Sequence, residues 1–411
     1  MATAFLFDLD MTLVDSSAVA QLRSLQMWAQ VAKNMNLVRP FKVAEGLSAH
    51  ELPGKWKIRG VPVGIVTNSP RHYAEPILKA FQIEYDQLVS YGDTKQHKPD
   101  PEPLLEALKR LGVKPSREVY YVGDDSVDVE AAYHAGVSSV GVGWGISSLF
   151  GMSSTAPDIL VSEPSELARK IDLDQLGYIG ERIAADEKYM PHWGSVLHCD
   201  DSGNEVYALG RYMTASDPRH AHHQLSRAIL SLKNDDETAE VLGVALGSAI
   251  AEAEIEGRYI VPVPPKPSQQ RHRFKLLLDE AKQYLPKGRS VSIDGLKCVK
   301  EVEGYKSMGP WERAEAIKGA FETGYKWNGN SVLLIDDVYT TGETIAECVR
   351  VLKENGAGDV RTLVLGKDQR TFERRMCGNC GRSMRIRKSR KGELFWGCSG
   401  YPHYCQNTEN L

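Results

Sequence analysis

Many features that would place a chain at once are missing from these 411 residues. No apolar run approaches the roughly 18 residues that a membrane span requires. The opening MATAFLFDLD has neither a charged leader region nor a cleavage site, so no export is expected and the cytoplasm is the expected compartment. There is no internal repeat and no long low-complexity segment. Cysteine is sparse, seven in all; Cys199, Cys298 and Cys348 are scattered without a pairing pattern, which argues against a disulfide framework.

What remains is a chain long enough for two or three domains at about 100 to 200 residues each, and 42% hydrophobic residues allow sizeable cores. The formal net charge of −4 is unevenly spread. Arg370 to Leu411 holds nine Lys/Arg against three Asp/Glu, leaving about −10 for everything before it, so the tail is a basic appendage.

Val332 to Thr344 (VLLIDDVYTTGET) is the most informative stretch. It reads as an apolar strand that delivers Asp336 and Asp337 at its carboxyl end, where open α/β sheets bind ligands. Thr340, Thr341, Gly342 and Thr344 then supply hydroxyls and backbone N–H groups at the start of a helix, a setting that attracts phosphate. The lysine of a P-loop is missing and glycine is too scarce for one. The stretch resembles the 13-residue PRPP signature of type I phosphoribosyltransferases. That resemblance implies an acidic pair on the ribose hydroxyls and a loop around the 5′-phosphate. Upstream, YIVPVPPKPSQQRHR reads as a short strand and a Pro-rich loop with Lys266, Arg271, His272 and Arg273, suited to pyrophosphate; GYKSMGPWERAEAIKGAFE follows it with a Gly/Ser segment and a helix. In order and wording these blocks resemble the ComF family over roughly Tyr207 to Gly366.

At the other end of the chain, Ala4 to Leu9 is a short buried strand that delivers Asp8 and Asp10, with Thr12 following in FDLDMTLVDS. Residues two apart leave opposite faces of a strand unless it is already turning. Val63 to Ser69 ends in Thr67, HKPDPEP supplies Lys98 with Lys95 as a rival, and VYYVGDDSVDVEAAYHAG gives Asp124 and Asp128. These four blocks resemble the motifs of the haloacid dehalogenase (HAD) superfamily. The resemblance implies Asp8 as nucleophile forming an aspartyl phosphate and Asp10 as general acid and base. It implies Thr67 and Lys98 as phosphoryl-binding groups, and Mg²⁺ held by Asp8, the Asp10 carbonyl and Asp124 with Asp128 in support. Asp125 reads as the cap of the following helix. Ser16 to Asn34 reads as an amphipathic helix with Leu22, Leu25, Trp28 and Val31 near period 3.6. Only about 55 residues separate the first two motifs, so any cap is very small.

The tail carries Cys377-x-x-Cys380 and Cys398-x6-Cys405. Two thiolate pairs at this spacing can close a Zn²⁺ shell, which would supply most of the folding free energy of so short a segment. The segment resembles the C-terminal zinc fingers of type IA topoisomerases. Arg385, Arg387, Lys388, Arg390 and Lys391 would then meet phosphates, and Phe395, Trp396 and Tyr401 could stack on bases of single-stranded DNA or RNA. His220, His222 and His223 are too irregularly spaced for three ligands on one helix face, and a helix start is expected there.

The expected fold class is therefore α/β: a HAD-like Rossmannoid domain over 1–173, a type I phosphoribosyltransferase domain over 174–370 and a zinc ribbon over 371–411. Joined, they suggest a Mg²⁺-dependent phosphatase fused to a PRPP-binding transferase in nucleotide or nucleoside metabolism, acting on phosphorylated small molecules without a membrane. The alternative is a nucleic-acid-directed protein of DNA uptake, repair or defence. There the ribbon holds a single strand, the HAD-like site trims terminal phosphates and the PRPP fold is a sensing module.

Overall fold

A computed structural model describes residues 2–41, 46–145, 151–172, 177–185, 195–199, 204–301, 310–389, 391, 393–401 and 404–411. The chain divides into two compact units, Met1–Gly177 and Tyr178–Leu411.

The first unit is built on a six-stranded sheet of β1 (Ala4–Phe7), β2 (Val63–Val66), β3 (Gln87–Val89), β4 (Val119–Gly123), β5 (Ser138–Val142) and β6 (Ile159–Val161). The strands pair in parallel in the order β3-β2-β1-β4-β5-β6. β1 is central and fully buried, so its continuous AFLF run is what a strand covered on both faces needs. One core gathers Phe5, Phe7, Leu52, Trp56 and Ile65, with Phe5 stacked on Trp56 at 4.2 Å; another gathers Leu6, Val66, Leu104, Tyr121 and Ala131. The strand order reverses at β1, and the crevice beyond the carboxyl ends of β1 and β4 is the position where such sheets take ligands.

The helix expected over Ser16 to Asn34 is broken. Short turns span Ser17–Val19, Ala20–Ser24, Trp28–Lys33 and Met35–Leu37, and Gln26 sits between them at φ +55°. A non-glycine residue in that left-handed region cannot continue a right-handed helix. The chain therefore changes direction, Leu25 turns out to solvent at 61% exposure, and Val31 alone of the expected apolar stripe is fully buried.

The second unit holds β7 (Leu197–His198), β8 (Val206–Ala208), β9 (Arg211–Tyr212), β10 (Tyr259–Pro262), β11 (Ser290–Val291), β12 (Lys297–Cys298), β13 (Phe321–Glu322), β14 (Val332–Tyr339) and β15 (Val360–Asp368). The main sheet runs β11-β10-β14-β15-β8-β7, with β9 also on β15; all pairs are parallel except β7–β8. β12 and β13 form a separate antiparallel pair. Helix Ala239–Glu252 packs on helix Phe274–Ala281, and their buried side chains join Ile260, Leu333 and Leu363 of the sheet.

The cysteine-bearing tail forms a three-stranded antiparallel sheet of β16 (Met384–Lys388), β17 (Leu394–Cys398) and β18 (Thr408–Asn410). It belongs to the second unit. Met384, Ile386, Trp396, Cys377 and Cys398 share a small core with Ala221, and the Ile386 amide donates to the Ala215 carbonyl at 2.6 Å.

Candidate active site

Asp8 follows β1 directly, and the chain then turns through Met11 at φ +62°, where the Met11 amide donates to the Val14 carbonyl. This turn brings Asp8 and Asp10 to one crevice instead of opposite faces. Asp124 follows β4, and Asp128 lies one turn into helix Ser126–Ala135. Single carboxylate oxygens of Asp8, Asp124 and Asp128 lie within 4.8 Å of one another, and all three side chains are buried. Gly123 makes this possible, because a Cβ there would lie 2.4 Å from the Asp128 carboxylate. Thr12 donates its hydroxyl to Asp124 at 3.1 Å, and Asp125 caps its helix by accepting from the Val127 amide, as expected.

Lys98 is the buried cation of the cluster. Its Nζ lies 2.7 Å from Asp8 Oδ1, Asp128 Oδ1 and the Tyr121 hydroxyl. Lys95, its rival in the sequence, is exposed and its amide meets Glu102. Burial pushes the Asp8 carboxyl well above its ordinary range; Lys98 opposes the shift while Asp128, Asp124 and Asp10 add to it. For Lys98, burial acts against the charge but Asp128 and Asp8 outweigh it, so the ammonium is held above its usual pKa. Three carboxylates against one ammonium at this spacing form an all-oxygen set short of positive charge, the donor chemistry that Mg²⁺ takes.

A cavity of about 560 Å³ opens on this cluster and is lined by Asp8, Asp10, Thr67, Lys98, Asp124 and Asp128 together with Arg23, Trp28, Asn68 and Ser69. Asp10 accepts from Ser69 Oγ and Tyr73 OH, each at 2.6 Å, and pairs with Arg23 at 2.5 Å. Sequence reasoning missed Arg23, Ser69, Tyr73 and Tyr121. Tyr121 occupies an inward strand position that reads as plain core, and the other three become polar neighbours only through the turn after β1 and the broken helical segment.

A family model described as haloacid dehalogenase-like hydrolase matches residues 50–142, a span that includes Thr67, Lys98, Asp124 and Asp128. The amino-terminal unit holds a HAD-like domain. Asp8 and Asp10 precede the matched span and are joined to it by the crevice. The phosphoglycolate phosphatase of Escherichia coli (strain K12) is 34% identical over 122 residues, covering 29% of this chain and 48% of the relative. The pyrophosphatase PpaX of Bacillus velezensis is 38% identical over 127 residues, covering 30% and 58%. The chain thus spans about half the length of the curated relatives it matches. Among solved structures, a hydrolase from Pseudomonas syringae aligns with 42% of this chain and 98% of its own at 20% identity and a TM-score of 0.35. No described helix is long and apolar enough to cross a membrane.

Beyond the HAD-like domain, Asp336 and Asp337 lie buried in the last half of β14. Asp337 pairs with Arg273 at 2.5 Å and with Lys233 at 3.3 Å. Burial, then the Asp337 charge, pushes the Asp336 carboxyl up to about 7. For Asp337, burial also acts upward but Arg273 and Lys233 outweigh it and hold the carboxyl below its usual value. Thr340 and Thr341 are exposed, Gly342 and Thr344 are half-buried, and Gly342 turns the chain at φ +88° into helix Glu343–Glu354. Lys367, missed in the sequence, lies buried beside this turn with Nζ 3.3 Å from the Thr340 carbonyl. Of the basic Pro-rich loop, Arg273 meets the acidic pair, while Arg271 is engaged by Asp236 and the Leu232 carbonyl. Residues 302–309 of the Gly/Ser segment lie outside the described residues. His220 is buried against the Met213 carbonyl and His223 caps helix Gln224–Leu232, so the three histidines do not converge.

In the tail, Cys377, Cys380, Cys398 and Cys405 each bring a sulfur within 4.8 Å of the others, all as free thiols. The Cys377–Cys405 and Cys380–Cys398 sulfurs are 3.8 and 3.4 Å apart. Four sulfurs at about 2.3 Å from a central tetrahedral ion would be roughly 3.8 Å apart, so the set fits Zn²⁺. One expectation is corrected. Trp396 is 3% exposed inside the small core and cannot stack on a base, because its side of β17 faces Met384 and Ile386. Arg387 is half-buried over the Tyr401 ring, Phe395 is half-buried, and Arg385, Lys388, Lys391 and Tyr401 are exposed. Arg390 lies outside the described residues.

Proposed function

We propose that the amino-terminal unit hydrolyses a phosphomonoester through an aspartyl phosphate. The observation that carries this reading is the meeting of Asp8, Asp124 and Asp128 with Lys98 bridging two of them. Asp8 attacks phosphorus, the bond to the leaving oxygen breaks, and Asp10 gives that oxygen its proton. Asp10 then takes a proton from the water that cleaves the acyl phosphate and frees inorganic phosphate. Thr67 and Lys98 bind the phosphoryl oxygens, and the turn after β1 holds Asp10 beside the leaving group. Asp8, Asp124 and Asp128 would hold Mg²⁺, which when bound neutralises charge on the transferred group. The small named substrates of the relatives favour a small phosphomonoester over a macromolecule. Asp8→Asn tests this. Phosphate release from a panel of phosphomonoesters with Mg²⁺ should fall at least a thousandfold while the circular dichroism spectrum is kept; undiminished turnover would refute the assignment.

The second unit is proposed as a PRPP-binding domain in which Asp336 and Asp337 take the ribose hydroxyls and Thr340 to Thr344 the 5′-phosphate. The parallel sheet and the position of the acidic pair before a helix start support this. Cys377, Cys380, Cys398 and Cys405 would hold a structural Zn²⁺. A single-stranded nucleic-acid partner finds support in the exposed Arg385, Lys388, Lys391 and Tyr401, and this is the observation that favours the nucleic-acid-directed alternative.

A further inference from the structure

Arg23 stands out among the cavity residues because the chemistry just described does not use it. It comes from the short Ala20–Ser24 helix, in the segment between the first two sheet strands, and its side chain is 16% exposed. Its Nη1 lies 2.5 Å from Asp10 Oδ2 and 3.4 Å from Ser69 Oγ, its guanidinium lies 5.8 Å from the Tyr73 ring centroid, and its Nε is buried without a hydrogen-bond partner among the described residues. Arginine offers five donors in a planar fork that matches carboxylate and phosphate. A buried donor left unmade is costly, and Asp10 is a single acceptor group already holding Ser69 and Tyr73.

We infer that Arg23 is an anion-binding subsite that selects phosphomonoesters whose alcohol portion carries a second anionic group, a carboxylate or another phosphate, within a few bonds of the scissile oxygen. The inference rests on the phosphatase reading of this cavity. Asp10 is the group placed at the leaving oxygen, and Arg23 is its direct ion-pair partner, so the part of a substrate that extends past Asp10 meets the guanidinium. When such a substrate enters, the fork turns part of its hydrogen bonding from Asp10 to the second anion, freeing Asp10 to receive and give its proton. Ala20, Ser24, Gln26 and Trp28 line this end of the cavity without charge, and among the lining residues only Arg23 and Lys98 are cations. Lys98 lies between Asp8 and Asp128, at the end of the cavity assigned to the transferred phosphoryl group.

The test compares 2-phosphoglycolate with p-nitrophenyl phosphate, whose leaving group has no second anion, in the full chain with Mg²⁺. Arg23→Gln should raise KM for 2-phosphoglycolate so that the loss in kcat/KM is at least thirtyfold greater than the loss on p-nitrophenyl phosphate. Arg23→Lys should restore part of that difference. Equal losses on the two substrates would mean that Arg23 only positions Asp10, and would overturn the inference. If the unaltered chain hydrolyses neither compound, the phosphatase reading fails separately. Calorimetric binding of 2-phosphoglycolate to the Asp8→Asn protein then decides for Arg23. A tenfold or greater weakening on adding Arg23→Gln supports the subsite, and unchanged affinity or no binding overturns it.

Discussion

Lys98→Met removes the one ammonium placed between two buried carboxylates and leaves a side chain of similar length. In the unaltered protein Nζ makes three contacts at 2.7 Å, two of them to Asp8 and Asp128, whose side chains are 9% and 4% exposed. Removing one partner of a buried pair costs about 3–5 kcal/mol because the remaining charge is uncompensated. Asp8 is the group that feels this most, since its carboxyl is already pushed up by burial and Lys98 is the main force opposing the shift. The sign with pH follows. A carboxyl whose folded pKa is raised contributes stability that is complete below its unfolded value and is lost as pH rises through the folded one. Without Lys98 that loss deepens, so the deficit of the variant should be largest at pH 8 and shrink toward pH 5 as Asp8 takes up its proton. Hydrogen exchange of peptides covering β1 and β4, followed against urea, reads the stability of this unit separately from the other. A deficit below about 1 kcal/mol at pH 8, or one equal at both pH values, would refute the electrostatic account of the cluster.

Asp336→Asn addresses the second unit. With the carboxyl raised to about 7, its ionisation weakens the fold as pH rises through that value. The variant should lose that slope, so that its stability relative to the unaltered chain rises from pH 5 to pH 8, measured by urea unfolding at pH 5, 7 and 8. In the tail, Trp396→Ala should cost about 3–5 kcal/mol and release bound Zn²⁺ to a chromogenic chelator at lower urea. The triple change of Arg385, Lys388 and Lys391 to Ala should leave unfolding unaltered. It should lower the affinity for a fluorescent single-stranded oligonucleotide and flatten its salt dependence by about 2 in the log–log slope; an undiminished slope would remove these side chains from any nucleic-acid contact.

How much could be read from the residues depended on whether the signal was local. Asp8, Thr67 and Asp124 each follow a short apolar strand, and parallel pairing of buried strands then brings their ends to one edge of the sheet. The strand over VLLIDDVY was legible for the same reason. The segment after Asp15 was not. Its apolar spacing fits a helix, but Gln26 takes a left-handed turn that no residue type announces, and this turn shapes the segment that carries Arg23 into the cavity. Trp396 illustrates the opposite error. An aromatic among basic residues suggests stacking, yet a three-stranded sheet of this size needs a large side chain to fill the space between its sheet and the cysteines.

The two acidic centres solve the same electrostatic problem differently, and the difference has a measurable consequence. In the first unit five carboxylates, Asp8, Asp10, Asp124, Asp125 and Asp128, line a cavity with two cations, Lys98 and Arg23, so a divalent ion offsets excess negative charge before any substrate arrives. In the second unit the carboxylates of Asp336 and Asp337 already face Arg273 and Lys233, and the raised pKa of Asp336 tilts the balance further toward positive charge. A divalent cation has nothing to gain there until an anionic ligand displaces Arg273 or Lys233 from Asp337. Calorimetric titration of the free chain with Mg²⁺ should therefore fill one site, abolished by Asp124→Asn and untouched by Asp337→Asn. With PRPP present a second Mg²⁺ equivalent should bind, and that one should be lost in Asp337→Asn. Two equivalents in the absence of PRPP would contradict the charge balance assigned to the pair on β14.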